Sequence, residues 1–330
     1  MSSKTRCIWV SKDEQDNVMR RQIEADLESL ATDHVRIRVS YSSLNYKDAL
    51  AATGHPGVAR QLPIIPGIDA AGTVLDGGDT NFQAGQEVMV DHPLFGTEAN
   101  GGYSEVVQVP STWVRRLPDQ LSARDAMAIG TAGFTAAQSV VELERHSIKP
   151  GDGPIVVSGA TGGVGSCAVK LLSNLGFEVF AVTGKQEQAA WLQELGASQV
   201  LGRSEVSDST NRPLLSARWA GAIDTVGGNI LTTILRSAKP YSCVTACGLV
   251  GGTDLEMTVY PFILRGVTLQ GIDAANISDA RRGEIWSRIS SDLSFGDLTS
   301  LVTQIDLDGL DDAIETMLAG KTRGRVVIEI

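Results

Sequence analysis

The chain has 330 residues, 42% of them hydrophobic and 20% charged, which is the composition of a globular protein long enough for two domains. Its formal net charge of -11 disfavours nucleic-acid and anionic-membrane partners, because phosphate binding needs clustered cations, and no apolar run approaches the roughly 20 residues of a transmembrane helix. Its four cysteines are too scattered for a disulfide framework, which makes the reducing cytoplasm the expected location.

Residues 1–125 are predicted to form a β-rich domain. Short apolar segments separated by stretches rich in Gly, Pro and Asp are typical of strands joined by turns. The clearest predicted strands are "VRIRVSYSS", "AAGTVLD", "QEVMVD" and "YSEVVQVP". The pattern changes at Ser122, where the apolar residues take helical spacing and Ser122 with Asp125 resembles an N-terminal cap.

Residues 126–273 are predicted to form a doubly wound domain. From Pro154 onwards, continuous apolar strands such as "PIVVS", "FEVFAVT" and "GAIDTV" alternate with helical segments. Strands of this kind are buried on both faces, which indicates a parallel sheet covered by helices. The remaining residues, 274–330, contain an amphipathic helix over Asp279–Leu293 and a final strand, "RVVIEI", and are expected to complete the first domain.

A glycine-rich turn, "SGATGGVGS", follows the first strand of the doubly wound domain and opens a helix. Backbone N–H groups at Gly162, Gly163 and Gly165 can approach a pyrophosphate there, and the helix dipole favours the anion. The predicted cofactor-binding residues of the turn are Thr161, Gly162, Gly163 and Val164. The flanking strands and helix favour a dinucleotide site over a purely structural tight turn.

The residues after the second strand of this domain predict which dinucleotide is bound. An acidic residue in that place would bind the ribose hydroxyls of NAD, whereas this chain has Thr183, Gly184 and Lys185. Thr and Lys can donate hydrogen bonds to a 2′-phosphate that a carboxylate would repel, and Arg203 follows the next strand. Together with the missing acid these residues favour NADPH, although Lys185 and Arg203 taken singly are equally explained as solvated surface charges.

The stretch "IPGIDAAGTVLDGG", residues 65–78, resembles the glycine–histidine–glutamate signature of the medium-chain dehydrogenases/reductases, the superfamily of the zinc alcohol dehydrogenases. In the zinc members the His and Glu help to hold the metal, and the resemblance puts Ile68 and Asp69 at those positions. Asn45 and Tyr46 stand where zinc members have Cys and His. A zinc site needs three or four converging Cys, His or carboxylate ligands, so the chain is predicted to hold no metal.

Further motifs resemble one family within that superfamily. They are "SSLNYKDALAATG", "IPGIDAAGTV", "IGTAGFTA", "GATGGVGS", "WAGAIDTVGG", "ACGLVGG" and "PFILRGVTLQGID". Together they span essentially the whole chain and resemble the bacterial acrylyl-CoA reductase family, a neighbour of the zeta-crystallin-like quinone reductases. The resemblance implies an α/β fold with a GroES-like catalytic domain and a Rossmann domain, a homodimer, and NADPH-dependent reduction of acryloyl-CoA to propanoyl-CoA.

The resemblance also implies cofactor contacts outside the turn. It places Leu249, Ile263 and Ala274 near the nicotinamide end, where backbone groups can fix the carboxamide. Gly320 is a weaker assignment, since a glycine that ends a helix explains it equally well. Thr131 in "GTAGFTA" is either a further cofactor contact or a capping or packing hydroxyl.

Without a metal to act as Lewis acid, the favoured hydride acceptor is already electrophilic, such as the β-carbon of an α,β-unsaturated thioester. Tyr46 is the candidate catalytic residue and a cofactor contact, because its phenol can donate a hydrogen bond to a developing enolate or to the nicotinamide ribose. The alternative is an aromatic wall packed on the cofactor. An NADPH:quinone or general enone reductase suits the same scaffold, whereas the intact turn and Tyr46 disfavour an inactive nucleotide-binding regulatory protein.

Overall fold

The computed structural model describes residues 4–330. These residues form two compact units, of which the first runs to Thr131 and includes Val302–Ile330, and the second is Ala132–Leu301. The domain boundaries predicted from the sequence lie at 125/126 and 273/274. Within the described residues, no helix combines the length and the apolar character needed to cross a lipid bilayer.

Fifteen strands and eight α-helices make up the two units. The strands are β1 (Lys4–Lys12), β2 (Val18–Asp26), β3 (His34–Leu44), β4 (Asp69–Asp76), β5 (Glu87–Asp91), β6 (Val106–Pro110), β7 (Val114–Arg116), β8 (Ile155–Val157), β9 (Val179–Thr183), β10 (Gln199–Gly202), β11 (Trp219–Asp224), β12 (Ala238–Ala246), β13 (Thr268–Gly271), β14 (Val302–Asp306) and β15 (Arg325–Glu329). The helices are α1 (Tyr46–Ala52), α2 (Ala123–Arg145), α3 (Gly163–Asn174), α4 (Ala189–Glu194), α5 (Gly228–Arg236), α6 (Tyr260–Arg265), α7 (Asp279–Ile289) and α8 (Leu310–Leu318).

The first unit is built on a seven-stranded sheet in the order β14-β15-β3-β4-β5-β7, with β6 also paired to β3. Alternate residues of β3, namely Val35, Ile37 and Val39, are buried in its core, as the alternating sequence pattern requires. Strands β3 and β4 approach so closely that a Cβ atom on Gly72 would lie 1.9 Å from the carbonyl oxygen of Arg38. The glycine in "IDAAGTV" is therefore required by the strand pairing.

The second unit contains a six-stranded sheet in the order β10-β9-β8-β11-β12-β13, and all of its paired strands are parallel. The predicted doubly wound architecture is confirmed. The chain leaves β8 to add strands on one side and then returns to add β11 on the other. Such a reversal opens a crevice at the carboxyl ends of the two central strands, which is where ligands bind in sheets of this kind.

Two predicted helices differ from expectation in informative ways. Helix α2 has the predicted cap, with the Asp125 N–H donating to Ser122 Oγ at 3.1 Å, but Gly130 interrupts it with φ 48° and ψ -159°. Helix α7 belongs to the second unit instead of completing the first. Its Trp286 packs against Phe134, with ring centroids 5.8 Å apart, so its apolar face is buried there.

Candidate functional site

The glycine-rich turn joins β8 to α3 in the second unit, as predicted. Gly162 is the N-cap residue of α3, and Gly163 is its first residue. A Cβ atom on Gly165 would lie 2.3 Å from the carbonyl oxygen of Gly159, so the turn closes only with glycine at that position. Because the first N–H groups of a helix have no intrahelical acceptor, this end of α3 suits an anion.

A buried carboxylate holds this turn, and sequence reasoning missed it. Asp224 ends β11, is buried, and accepts hydrogen bonds from Ser158 Oγ at 2.6 Å and from the Gly227 N–H at 2.7 Å. Burial raises the pKa of its carboxyl above the ordinary value. The available signal was an acidic residue at the end of an apolar strand in "WAGAIDTVGG". Asp224 thus links the start of the turn to the loop after β11.

A small cavity of about 40 Å³ lies beside the turn. It is lined by Gly159, Thr161, Val182, Thr183, Gly184, Lys185, Arg203, Val226 and Ile230. The cavity therefore brings together the residues predicted to select the dinucleotide, which are far apart in sequence. Val182 and Ile230 add an apolar surface that no sequence motif indicates.

Lys185 and Arg203 lie close together at this cavity. Burial lowers the pKa of Lys185 from its ordinary value; the negative charge of Glu187 opposes this, and the positive charge of Arg203 adds a smaller effect in the same direction as burial. The Arg203 guanidinium lies over Gly184, where a Cβ atom would be only 2.7 Å from Cζ. Thr183 is buried, and its Oγ1 accepts a hydrogen bond from the Lys185 N–H at 2.9 Å. Two cationic side chains at one cavity form a site that can bind an anion.

The other predicted cofactor contacts do not line this cavity. In the second unit, the side chains of Leu249 and Ile263 are 65% and 72% exposed, and the carbonyl oxygen of Ala274 accepts a hydrogen bond from Arg282. In the first unit, Gly320 follows α8 with φ 68°, so the structural explanation accounts for this glycine. A cofactor role for these residues stays a prediction.

Tyr46 is the first residue of α1 in the first unit, and its side chain is half exposed. Among the described residues none hydrogen-bonds its hydroxyl group. The residue before it, Asn45, is buried and lies in what we call the buried network, formed by Asn45, Asp48, Asp69, Thr131 and Arg325. Tyr46 therefore follows directly on a residue held by the buried network, and its own hydroxyl is available to hydrogen-bond a ligand.

Two members of the buried network, Asn45 and Asp69, stand at positions that the resemblance equates with zinc ligands of other superfamily members. Asn45 Nδ2 donates to Asp69 Oδ2 at 2.8 Å, and the Ile68 N–H donates to Asp48 Oδ1 at 2.8 Å. Thr131 donates to Asp69 through both its N–H and its hydroxyl, at 2.9 and 2.7 Å, which favours the packing interpretation of this threonine. Across residues 4–330, no three His, Cys, Asp or Glu residues are grouped so as to hold a metal ion.

The carboxyl of Asp48 is fully buried in the network. Burial, followed by the negative charge of Asp69, raises its pKa from 3.8 to about 7, while hydrogen bonds from the Asn45 and Ile68 N–H groups oppose the shift. Tyr103 faces it, and burial and the charges of both carboxylates raise the pKa of that phenol well above its ordinary value, against the opposing effect of Arg325.

We expect Asp48 to make stability pH-dependent. A carboxyl with a raised pKa binds more protons in the folded than in the unfolded chain, so its contribution to stability is present below pH 3.8 and is lost as pH rises towards about 7. The loss proceeds at up to about 1.4 kcal/mol per pH unit. Replacing Asp48 by Asn should therefore destabilise the protein by about 2 kcal/mol less at about pH 7.5 than at about pH 5.

Urea unfolding of both proteins at the two pH values measures this difference. Asp152→Asn is a matched control, because Asp152 is an exposed carboxylate of the second unit. Its effect on stability should differ little between the two pH values. If the destabilisation by Asp48→Asn were the same at both, Asp48 would titrate at its ordinary pKa.

Comparison with known proteins covers both units. Residues 31–119 match the family described as alcohol dehydrogenase GroES-like domain, and residues 163–290 match the family described as zinc-binding dehydrogenase. The acrylyl-CoA reductase of Ruegeria pomeroyi is 42% identical over 322 residues, covering 97% of this chain and 98% of that protein.

Two crystal structures show the same fold throughout. The yhdH oxidoreductase from Salmonella enterica, solved in complex with NADP, has 42% identity and a TM-score of 0.91, with 98% of this chain and 99% of that chain covered. The Bacillus subtilis protein yhfP, solved with NAD bound, has 41% identity and a TM-score of 0.95, with both chains covered completely at 100%. Relatives of one fold have thus been solved with either dinucleotide.

Proposed function

The chain belongs to the acrylyl-CoA reductase family of the medium-chain dehydrogenases/reductases, and from this premise we propose that it reduces acryloyl-CoA to propanoyl-CoA with NADPH in the cytoplasm. The observation that carries the proposal is the 42% identity with an acrylyl-CoA reductase over almost the full length of both proteins. The chain is an NADPH-dependent oxidoreductase.

We assign the cofactor to the carboxyl edge of the sheet in the second unit. The pyrophosphate lies at the N-terminus of α3, where Gly162 and Gly163 present backbone N–H groups. Lys185 and Arg203 bind the 2′-phosphate, because both line the cavity beside the turn and both can donate charged hydrogen bonds to a phosphate oxygen. A hydride from the bound nicotinamide is the reducing equivalent. This assignment makes the cation pair, rather than the fold, the determinant of cofactor choice.

The reaction follows from thioester conjugation. The hydride forms the new C–H bond at Cβ of acryloyl-CoA, the double-bond electrons move towards the carbonyl, and an enolate develops on the thioester oxygen. A proton from solvent then adds to Cα and gives propanoyl-CoA. The chain must orient the acceptor and stabilise the oxyanion. No alkoxide forms, which agrees with the lack of a ligand side chain at Ile68.

We assign stabilisation of the enolate to Tyr46. Its side chain is half exposed, and its hydroxyl has no hydrogen-bond partner among the described residues, so it is available to donate to a substrate oxygen. A phenol aimed at the oxygen on which charge develops stabilises the transition state more than the ground state, which is what accelerates a reaction.

NADPH oxidation measured in parallel with acryloyl-CoA, with simple quinones and with no acceptor tests this function. Rapid oxidation with acryloyl-CoA, accompanied by formation of propanoyl-CoA, is the expected result. Oxidation with quinones but not with acryloyl-CoA would replace the proposal by a quinone reductase. A lack of oxidation with every acceptor would contradict both enzyme functions.

We further propose that the protein is a homodimer that associates through the edge of the second sheet. Most of the exposed large hydrophobic side chains of the described residues lie between residues 241 and 264, in the part of the chain that leads into β13, the edge strand of the sheet. The exposed fraction is 80% for Tyr241 and 61% for Leu264. An apolar surface beside an open strand edge favours pairing with a second copy across a two-fold axis.

Light scattering at micromolar concentration should therefore report a dimer. Leu264→Asp should shift the protein towards monomer, because it places a charge in the apolar surface. Leu94→Asp is the matched control, since Leu94 is an exposed leucine of the first unit and lies outside this surface. A monomeric wild-type protein, or equal effects of the two substitutions, would contradict the proposed interface.

A further inference from the structure

We propose that Asn45, Asp69 and Arg325 are positioning residues that hold Tyr46 in place for its interaction with substrate. The inference rests on the proposed function of Tyr46 and concerns residues that need not touch substrate or cofactor. Their side chains are 8%, 2% and 2% exposed, so they act through the structure around Tyr46.

Asn45 connects the network to Tyr46 directly, because the two residues share a peptide bond. Its Nδ2 lies within hydrogen-bond distance of three acceptors, Ser43 Oγ, Asp48 Oδ2 and Asp69 Oδ2, at 3.2, 3.1 and 2.8 Å. Its Oδ1 accepts from Arg325 Nη1 at 3.2 Å, and its backbone N–H donates to Asp48 Oδ2 at 2.9 Å. Both ends of the amide are therefore occupied, which leaves Asn45 to fix the start of α1 rather than to bind substrate.

Asp69 joins three elements at this point. Oδ2 accepts from Ser43 Oγ in β3 at 2.6 Å, from Asn45 next to α1 at 2.8 Å, and from the Thr131 N–H in α2 at 2.9 Å. The interruption of α2 makes room for this contact, since a Cβ atom on Gly130 would lie 2.6 Å from Asp69 Oδ2. One carboxylate thus sets the position of α1 relative to β3 and α2.

Arg325 closes the network from β15. Its Nε donates to the carbonyl oxygen of Ala128 at 2.9 Å, its Nη1 reaches Asn45, and its Nη2 is buried with no hydrogen-bond partner among residues 4–330. A buried guanidinium that stays partly unsatisfied costs stability. A solvated Asn is enough to cap a seven-residue helix, and capping needs no buried charge. The buried network therefore contains more buried polar groups than capping of α1 requires. Precise placement of Tyr46, the first residue of α1, explains the additional groups.

A double-mutant cycle in the full-length protein tests this explanation. Asp69→Asn replaces an acceptor of four hydrogen bonds by an amide that cannot accept them all, so Tyr46 should move and kcat for acryloyl-CoA should fall by about 10- to 100-fold. In the Tyr46→Phe background the same change should lower kcat by only about twofold, because the hydroxyl that it positions is already absent. Asp224→Asn, at the buried carboxylate of the second unit, should lower kcat by equal factors in both backgrounds.

Position 46 can also be observed without substrate. With 3-fluorotyrosine incorporated only at Tyr46, the 19F resonance should shift or split in Asp69→Asn and in the milder Asn45→Ala, and should be unchanged in Asp224→Asn. Circular dichroism identifies the variants that are folded. An unmoved resonance in the folded variants, or effects of Asp69→Asn and Tyr46→Phe on kcat that simply multiply, would overturn the proposal. A shifted resonance in a protein that does not reduce acryloyl-CoA would instead refute the proposed function and leave the positioning role intact.

Discussion

Replacing Lys185 and Arg203 together by alanine should weaken NADPH binding by about a hundredfold and leave NADH binding nearly unchanged. Each lost hydrogen bond to a charged group costs about 1.5–3 kcal/mol, or about ten- to a hundredfold in affinity, and the partial exposure of both side chains reduces the sum. Only the 2′-phosphate distinguishes the two dinucleotides at this cavity. The affinities can be measured directly, because both reduced cofactors are fluorescent.

Arg212→Ala provides the control for that experiment, since Arg212 is an exposed arginine of the second unit that does not line the cavity. It should affect neither cofactor. Raising the salt concentration should weaken NADPH binding to the wild type more than to the double variant, because salt screens the cation pair. Equal losses for NADPH and NADH would show that Lys185 and Arg203 do not contact the 2′-phosphate.

Tyr46→Phe should lower kcat for acryloyl-CoA by roughly 10²- to 10³-fold, which is the usual effect of removing one oxyanion donor. Cofactor affinity should change little, because phenylalanine keeps the aromatic ring. Steady-state kinetics and an NADPH titration separate the two effects. A fall in kcat of only a fewfold would mean that the ring serves as a wall against the cofactor and that another group stabilises the enolate.

The doubly wound domain and the nucleotide turn were predictable because their signals are local. A parallel strand is buried on both faces and therefore appears as an apolar run. The glycines that the nucleotide turn needs all lie within one short segment, "GATGGVG". The capping of α2 by Ser122 is local in the same way. Such features depend on residues that are close together in the chain, so the sequence alone is enough to predict them.

The buried network was not predictable, because its members lie far apart in the chain. Strand pairing and the interruption of α2 bring four of them into contact: Asn45, Asp69, Thr131 and Arg325. No spacing of residues in the sequence predicts these contacts. The place of α7 was missed for a related reason. An amphipathic pattern shows that one face is buried but not which unit buries it, and here Phe134 provides the surface. Asp224 was overlooked because a polar residue that ends a strand is as typical of a turn as of a buried support.

The most direct measurement of the reaction course uses NADPH carrying deuterium at the transferable position of C4. Hydride transfer to the electrophilic Cβ predicts that the deuterium appears at C3 of propanoyl-CoA, and that a reaction run in deuterated water with unlabelled NADPH places deuterium at C2. Mass spectrometry or NMR of the product distinguishes the two carbons. Label from NADPH at C2, or acryloyl-CoA left unreduced, would contradict the proposed function.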